Sequence, residues 1–364
     1  MADVKKMTIA YRPADIAEVP AIDELLTELG VGTLRRDTIK SVMGRNNNWI
    51  GTTETDCDVF IKQLNGPDCG ARLDRSAHIA GVGEQTMHMP RLLGVDIDEA
   101  LIALEFLPDA QTAAELARTS ELSEEVCAEA GRQIAHLHRL PPEGFDVSEH
   151  PLPPVEALDG LFMSYYVRAS AAELDMWRLL QHDVELTVAL REMRRADVAS
   201  PEIRTPIHGD LRLDQFLVSG ERLYLSDFEE ARLGDPARDI GAFAGEWLFL
   251  AAAALPSSLA ESLPVGKSAS HAQIVATGVS EIERRNPLVR AFLRSYLDAR
   301  PEARDDLTLI RRATSYAGWH MLDRMLAGAG NSNRLSAVSK AAAGIGRTLL
   351  LTPEEFTSTL GLDA

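Results

Sequence analysis

Apolar and polar residues along this chain follow first one period and then another. Ile22, Leu25, Leu26 and Leu29 recur at i, i+3, i+4 and i+7, which predicts an amphipathic helix over 21–31. Strand-like runs follow. Residues 48–53 and 58–64 are expected to pair as a hairpin across a polar turn, with Gly66-Pro67 ending the second strand. A helix over 71–82 leads to Pro90, and residues 101–107 form a further apolar strand that Pro108 stops.

Beyond Pro108 the helical period dominates. Val126, Ala130, Ile134 and Leu137 line one face of a helix whose start Ser123 is placed to cap. Residues 141–154 are rich in proline and predict a loop, and 155–196 look helical again. After Pro206 come loop, strand, turn and strand. Helical patterns then run from about Asp239 to the end, with a Pro/Ser/Gly-rich interruption expected near 256–270. There is no internal repeat. The layout predicts an α+β protein with a small β-rich N-terminal lobe, 1–107, and a larger helical C-terminal lobe, 108–364.

A length of 364 residues suits two lobes better than one small core. The net charge of −18 excludes a nucleic-acid partner, which would need clustered Lys and Arg. It is compatible with a cationic substrate, although acidity bears first on solubility. Cys57, Cys69 and Cys127 form no C-x-x-C pair and no zinc spacing, and an odd count suits a reducing cytoplasm. No apolar run follows the first lysines, and the longest apolar stretch, 247–255, is too short to span a bilayer. The expectation is a soluble cytoplasmic protein with no membrane partner.

Candidate chemistry concentrates in 207–229. His208, Gly209, Asp210, Gln215 and Asp227 stand there in an order suited to moving a phosphoryl group. Such transfer needs held phosphates, a bound magnesium and a base for the acceptor hydroxyl. Lys62, near the end of an apolar strand, can reach phosphates; Asp210 can take a proton; Asp227, at a strand end, can offer oxygen to Mg²⁺. Asn46-Asn47-Asn48 after Gly44 suits either a tight turn over phosphates or an ordinary hairpin turn. The stretch 264–268 ends like a Walker motif but has Glu261 where the first glycine belongs, and is rejected. His136 and His138 lie two apart on a helix, on different faces, which excludes a shared metal.

In these motifs the chain resembles the aminoglycoside phosphotransferase and choline kinase-like family, which shares the protein-kinase fold. His208-Gly209-Asp210…Gln215 resembles its catalytic loop, Asp227-Phe228-Glu229 its metal-binding motif, and Gly234-Asp235-Pro236…Asp239 the segment that follows. Leu104 to Leu107 resembles the hinge and Leu137-His138 the end of the long C-lobe helix. The resemblance implies ATP and Mg²⁺ between two lobes, with Asp210 as catalytic base and Asp227 as metal ligand. Gln215 replaces the usual asparagine as second metal ligand, on a stem one methylene longer. Arg212 matches a cation near the transferred phosphate, and Glu105 and Leu107 match the hinge that contacts adenine. Lys62 is implied to be steadied by an acidic residue of the next helix, best Asp74, alternatively Glu84. His208 and Asp239 are implied to be structural, with Asp239 anchoring loop backbone.

Three readings are compatible with these parts, two of which differ in the acceptor. The favoured one is a Ser/Thr hydroxyl of a ribosomally made precursor peptide. The catalytic stretch and Gly318-Trp319-His320-Met321…Asp323-Arg324 resemble kinase subunits of class V lanthipeptide biosynthesis, which work with a partner lyase. The alternative is a small hydroxylated substrate of the aminoglycoside or choline type; a cationic one needs carboxylates near Asp210, from among Asp214, Glu229, Glu230 and Glu246. The third is a pseudokinase scaffold, for which Gln215 is the sole support.

Overall fold

A computed structural model describes residues 15–42, 46–199, 201–264, 267–330 and 332–363. The predicted first helix, α1 (Ala21–Glu28), buries Ile22, Leu25 and Leu26. Strands β1 (Lys40–Val42), β2 (Asn47–Thr52), β3 (Asp58–Gln63), β4 (Leu92–Asp96) and β5 (Leu101–Glu105) form an antiparallel sheet in the order β1-β2-β3-β5-β4. β2 and β3 are the expected hairpin, with Asn48 opposite Lys62. Because strand side chains alternate between faces, the sheet sorts two cores. Val59, Ile61, Leu101 and Ala103 pack with α1, while Leu64, Ile102 and Leu104 pack with Leu73 of helix α2 (Cys69–Gly83). Lys62 has the parity of Leu64, so it stands on the α2 face. The sequence pattern assigns no element to β4. All five of its residues are half-buried, which leaves no contrast between faces to read.

The fold divides into two compact units. The first holds the described residues up to Ala110 together with Ser219–Glu230; the second holds Gln111–Val218 and the residues from Ala231 onward. The excursion of 219–230 into the first unit has no counterpart in a division at 107/108, since periodicity carries no record of partners far apart in sequence.

In the second unit β6 (Gln111–Thr112) pairs with β8 (Phe216–Ser219), and β7 (Thr205–Ile207) pairs with β10 (Arg232–Gly234). β9 (Arg222–Leu225) falls in the excursion. The helices are α3 (Ala113–Thr119), α4 (Glu124–Leu137), α5 (Met163–Tyr166), α6 (Ala171–His182), α7 (Val184–Ala199), α8 (Ala237–Ser262), α9 (His271–Glu283), α10 (Asn286–Ala299), α11 (Leu309–Ala329) and α12 (Ala337–Leu351). Ser123 caps α4 as expected, its side chain accepting from the Val126 N–H. α4 crosses α10 at Gly131, where a Cβ would come 2.2 Å from the Phe292 carbonyl oxygen. Only glycine allows that approach. Phe243 of α8 stacks on Phe292 of α10, with ring centroids 3.9 Å apart, and meets Phe216 edge-on, next in sequence to Gln215.

Two helix expectations change. The stretch 155–196 is not continuous: Ser170 opens α6 with a capping box, and extended backbone at Asp183 separates α6 from α7. α8 runs through Pro256 to Ser262, past the start of the expected interruption. Proline there removes only the bond to the Ala252 carbonyl, on a half-exposed stretch where water can satisfy it. α8 is long and apolar enough to cross a membrane by length and composition, with mean hydropathy 1.4, yet 56% of that window is buried inside the fold, as in a core helix. Val265 and Gly266 of the rejected Walker-like stretch, and the N-terminal residues 1–14, lie outside the described residues.

Candidate active site

The first unit gathers charge around Lys62. Its Nζ lies 2.5 Å from Asp227 Oδ1 and 2.7 Å from Glu229 Oε1. Burial alone would lower the Lys62 pKa; the charges of Asp227 and Glu229 outweigh it and raise the value, so the ammonium stays charged. Asp74 and Glu84 are not its partners. Both are exposed, and α2 instead turns Arg72 inward, fully buried and ion-paired with Glu229. Glu230 pairs with Arg75, also on α2, at 3.5 Å. Glu229 and Glu230 are thus committed within the first unit, which removes them as carboxylates available to an acceptor. Asp227 follows β9 with φ +68°, a left-handed conformation rare outside glycine and concentrated at functional turns.

Asn46 bears on the same cluster. Its Nδ2 donates to both Glu229 oxygens, at 3.2 and 3.3 Å, and its Oδ1 accepts from Arg72 and from the Asn65 N–H. Asn47 and Asn48 belong to β2 rather than to a turn, and Gly44 lies outside the described residues. At the end of β5 the Glu105 N–H donates to the Arg91 carbonyl, and the Leu107 carbonyl accepts from Ala110. Among the described residues nothing accepts the Leu107 N–H, which leaves a backbone donor of the kind a hinge offers.

The segment of the second unit that carries His208 to Gln215 is pinned by its backbone. Asp239, at the start of α8, accepts from the His208 N–H at 2.7 Å and the Gly209 N–H at 3.0 Å. Its third partner is His138 Nε2, at 3.1 Å, and His138 Nδ1 meets the Tyr296 hydroxyl at 2.9 Å. Burial would raise the Asp239 pKa, but the hydrogen bond and charge of His138 and the His208 N–H hold it below the usual carboxylate range. Burial lowers His138 in spite of Asp239. The Asp239 carboxylate can only accept, so His138 Nε2 carries the proton between them. On the other side His150 Nε2 lies 3.0 Å from the Gly209 carbonyl; burial and nearby arginines keep this ring neutral, so it donates there. Gly209 itself has φ +84°. These anchors fix the turn that carries Asp210.

Asp210 is half-exposed, and Arg212 reaches both it, at 2.6 Å, and Asp214, at 3.0 Å. Gln215 is buried. Its amide oxygen accepts from the Arg212 N–H at 2.9 Å, closing a short turn. Asparagine is one methylene shorter and would loosen that bond. Gln215→Asn is expected to retain most of its turnover if metal ligation is what this oxygen contributes, with a melting temperature slightly lower. A complete loss of activity in a folded variant would assign Gln215 a different task.

Near Asp210 stand charged groups of α8 and α11. Glu246 of α8 accepts from His320 Nε2 at 2.8 Å and lies 3.5 Å from Arg324, both on α11. Burial would raise Glu246; His320, Arg324 and Arg212 bring it below its ordinary value. Asp323, half-buried and without an ion-pair partner among the described residues, is pushed up by burial, drawn back by His320 and raised further by the Asp210 charge. Glu246 and Asp214 are thus the expected carboxylates that do gather on this side, and Asp323 joins them. The sequence names Asp323 only as part of the 318–324 motif, with no sign that it faces Asp210.

A charged strand lysine beside a carboxylate turn, and a pinned Gly-Asp loop, are the parts of a phosphoryl-transfer protein. The chain belongs to the phosphotransferase enzyme family, whose profile matches residues 49–263, more than half its length. Its fold is similar to that of amicoumacin kinase in complex with AMP-PNP, Ca²⁺ and amicoumacin, at 12% identity and TM-score 0.55 over 93% of this chain and 96% of that one. It is similar also to spectinomycin phosphotransferase with ADP and spectinomycin, at 13% identity and TM-score 0.50 over 92% and 98%. A choline/ethanolamine kinase family protein from Mesorhizobium loti is 18% identical, with TM-score 0.48 over 89% and 92%. No curated protein matches the sequence. The expected α+β, protein-kinase-like fold is the fold of this chain.

Proposed function

We propose that this phosphotransferase uses Mg·ATP to phosphorylate a hydroxyl of a small, amine-bearing molecule. The observation that carries the reading is the surplus of carboxylates around Asp210. Asp210, Asp214, Glu246 and Asp323 are offset by Arg212 and Arg324, and Asp323 has no ion-pair partner of its own among the described residues. An acceptor ammonium beside Asp323 would offset the burial and the Asp210 charge that raise its pKa. The fold relatives held in complex with AMP-PNP and amicoumacin, or with ADP and spectinomycin, support ATP as donor and a small molecule as acceptor. The precursor-peptide acceptor, with its partner lyase, rests on motif resemblance alone and yields to this alternative.

In this reading Asp210 accepts the hydroxyl proton, and Arg212 holds the carboxylate in place and offsets charge on the transferred group. Lys62 binds phosphate oxygens, and the backbone at Glu105 and Leu107 meets adenine. Asp227, with Gln215 as second candidate, would offer hard oxygen donors suited to magnesium, which keeps several waters and needs only one or two protein oxygens beside those of the phosphates. When bound, the ion neutralises charge on the β- and γ-phosphates.

The test is transfer from radiolabelled ATP to amino alcohols, aminoglycosides, neutral sugars and Ser/Thr-rich peptides. Label is expected on amine-bearing small molecules. Asp323→Asn should raise their KM about 10- to 100-fold, the scale of losing one partner of a desolvated charge pair, with a smaller change in kcat. Label confined to peptides or to neutral acceptors would overturn the proposal.

A further inference from the structure

We infer that Glu229 and Arg72, rather than an acidic residue of α2, position Lys62 for the nucleotide phosphates; this rests on the phosphate-binding role of Lys62 proposed above. Two carboxylates touch the Lys62 ammonium. Asp227 has a second task, as oxygen donor to magnesium. Glu229 has none, and its remaining bonds all point inward.

One Glu229 oxygen faces Lys62, the other meets the Arg72 guanidinium, and Asn46 Nδ2 spans both. Arg72 is in turn fixed by the Asn65 carbonyl at 2.9 Å and Asn46 Oδ1 at 3.1 Å, and its side chain is entirely buried. A buried guanidinium requires a counter-charge, and Glu229 supplies it. The pairing also sets the rotamer that presents the other oxygen to Lys62.

The geometry of α2 excludes the alternative. Asp74 lies two residues after Arg72, about 200° around the helix, and is exposed; Glu84 lies beyond the helix end, also exposed. The face that α2 turns to Lys62 therefore carries a cation, and the carboxylate comes from the turn after β9. α2, the base of β2 and that turn are joined through one carboxylate, so the ammonium is held before phosphate arrives rather than ordered by it.

Calorimetric binding of Mg·ATP and of adenosine to the full chain tests this. Glu229→Ala and Arg72→Met should weaken ATP binding about 10- to 100-fold, the scale of a lost charge-assisted hydrogen bond, and leave adenosine within about twofold. Arg72→Lys should lie between, and Asp74→Asn should match the parent. A merely structural role would weaken both ligands together, and that outcome overturns the inference. So does parental ATP affinity in Glu229→Ala, or an ATP-specific loss in Asp74→Asn or Glu84→Gln. If Glu229→Ala fails to fold, Glu229→Gln and Arg72→Lys apply the same ATP-against-adenosine criterion. Lys62→Ala separates the two levels: normal ATP binding there would remove the phosphate role of Lys62 itself, whereas a loss there with no effect at Glu229 would remove only the present inference.

Discussion

Asp210→Asn is expected to lower turnover about 10²–10⁴-fold, the usual scale for losing a general base, with ATP affinity near the parent value. The two side chains have the same shape, and the amide oxygen can still accept from Arg212. What disappears is the capacity to take a proton. Because Asp210 is half-exposed and its loop is pinned through the backbone of His208 and Gly209, the melting temperature should not move. Loss of turnover without loss of fold or nucleotide is the signature of a base. Unchanged kcat would remove Asp210 from that role.

Asp239→Ala should act through the fold. It leaves the His208 and Gly209 N–H groups and the His138 ring without their shared acceptor, all in the buried core. Breaking a buried charged network costs about 3–5 kcal/mol, so thermal unfolding should shift down by on the order of 10 °C, with turnover falling as the loop loses its tether. Asp239→Asn, which keeps an acceptor, should suffer less. Acid gives an independent check. The Asp239 pKa is depressed in the folded state, so its stabilisation is complete above the unfolded value of about 3.9 and is lost as pH falls through the folded one. The gap between parent and Asp239→Ala should be wide at pH 7 and narrow below about pH 4. A gap that stays constant with pH would mean that the carboxylate charge contributes nothing.

Much of this protein is legible in short stretches of its sequence. The Ile22–Leu29 stripe, the 48–64 hairpin and the Ser123 cap follow from local periodicity and capping chemistry, and each forms where expected. Proline was the weaker guide: Pro256 sits inside α8 because its missing bond falls on a half-exposed face. β4 was illegible because its residues have no contrast in burial. The segment 207–229 drew attention to itself through residue types alone, but its partners did not.

What the sequence by itself determined is most of the local elements and the family resemblance of the 207–229 segment, because turn chemistry, period and motif order act within a few residues. Only the tertiary structure decided which charges meet. Glu229 lies 167 residues from Lys62 and 157 from Arg72, and the sequence pointed instead to Asp74 or Glu84, which the inward face of α2 leaves exposed. Asp323 beside Asp210 was decided in the same way, by the packing of α11 against α8. Ion pairing is governed by burial and distance, and neither is written in local pattern.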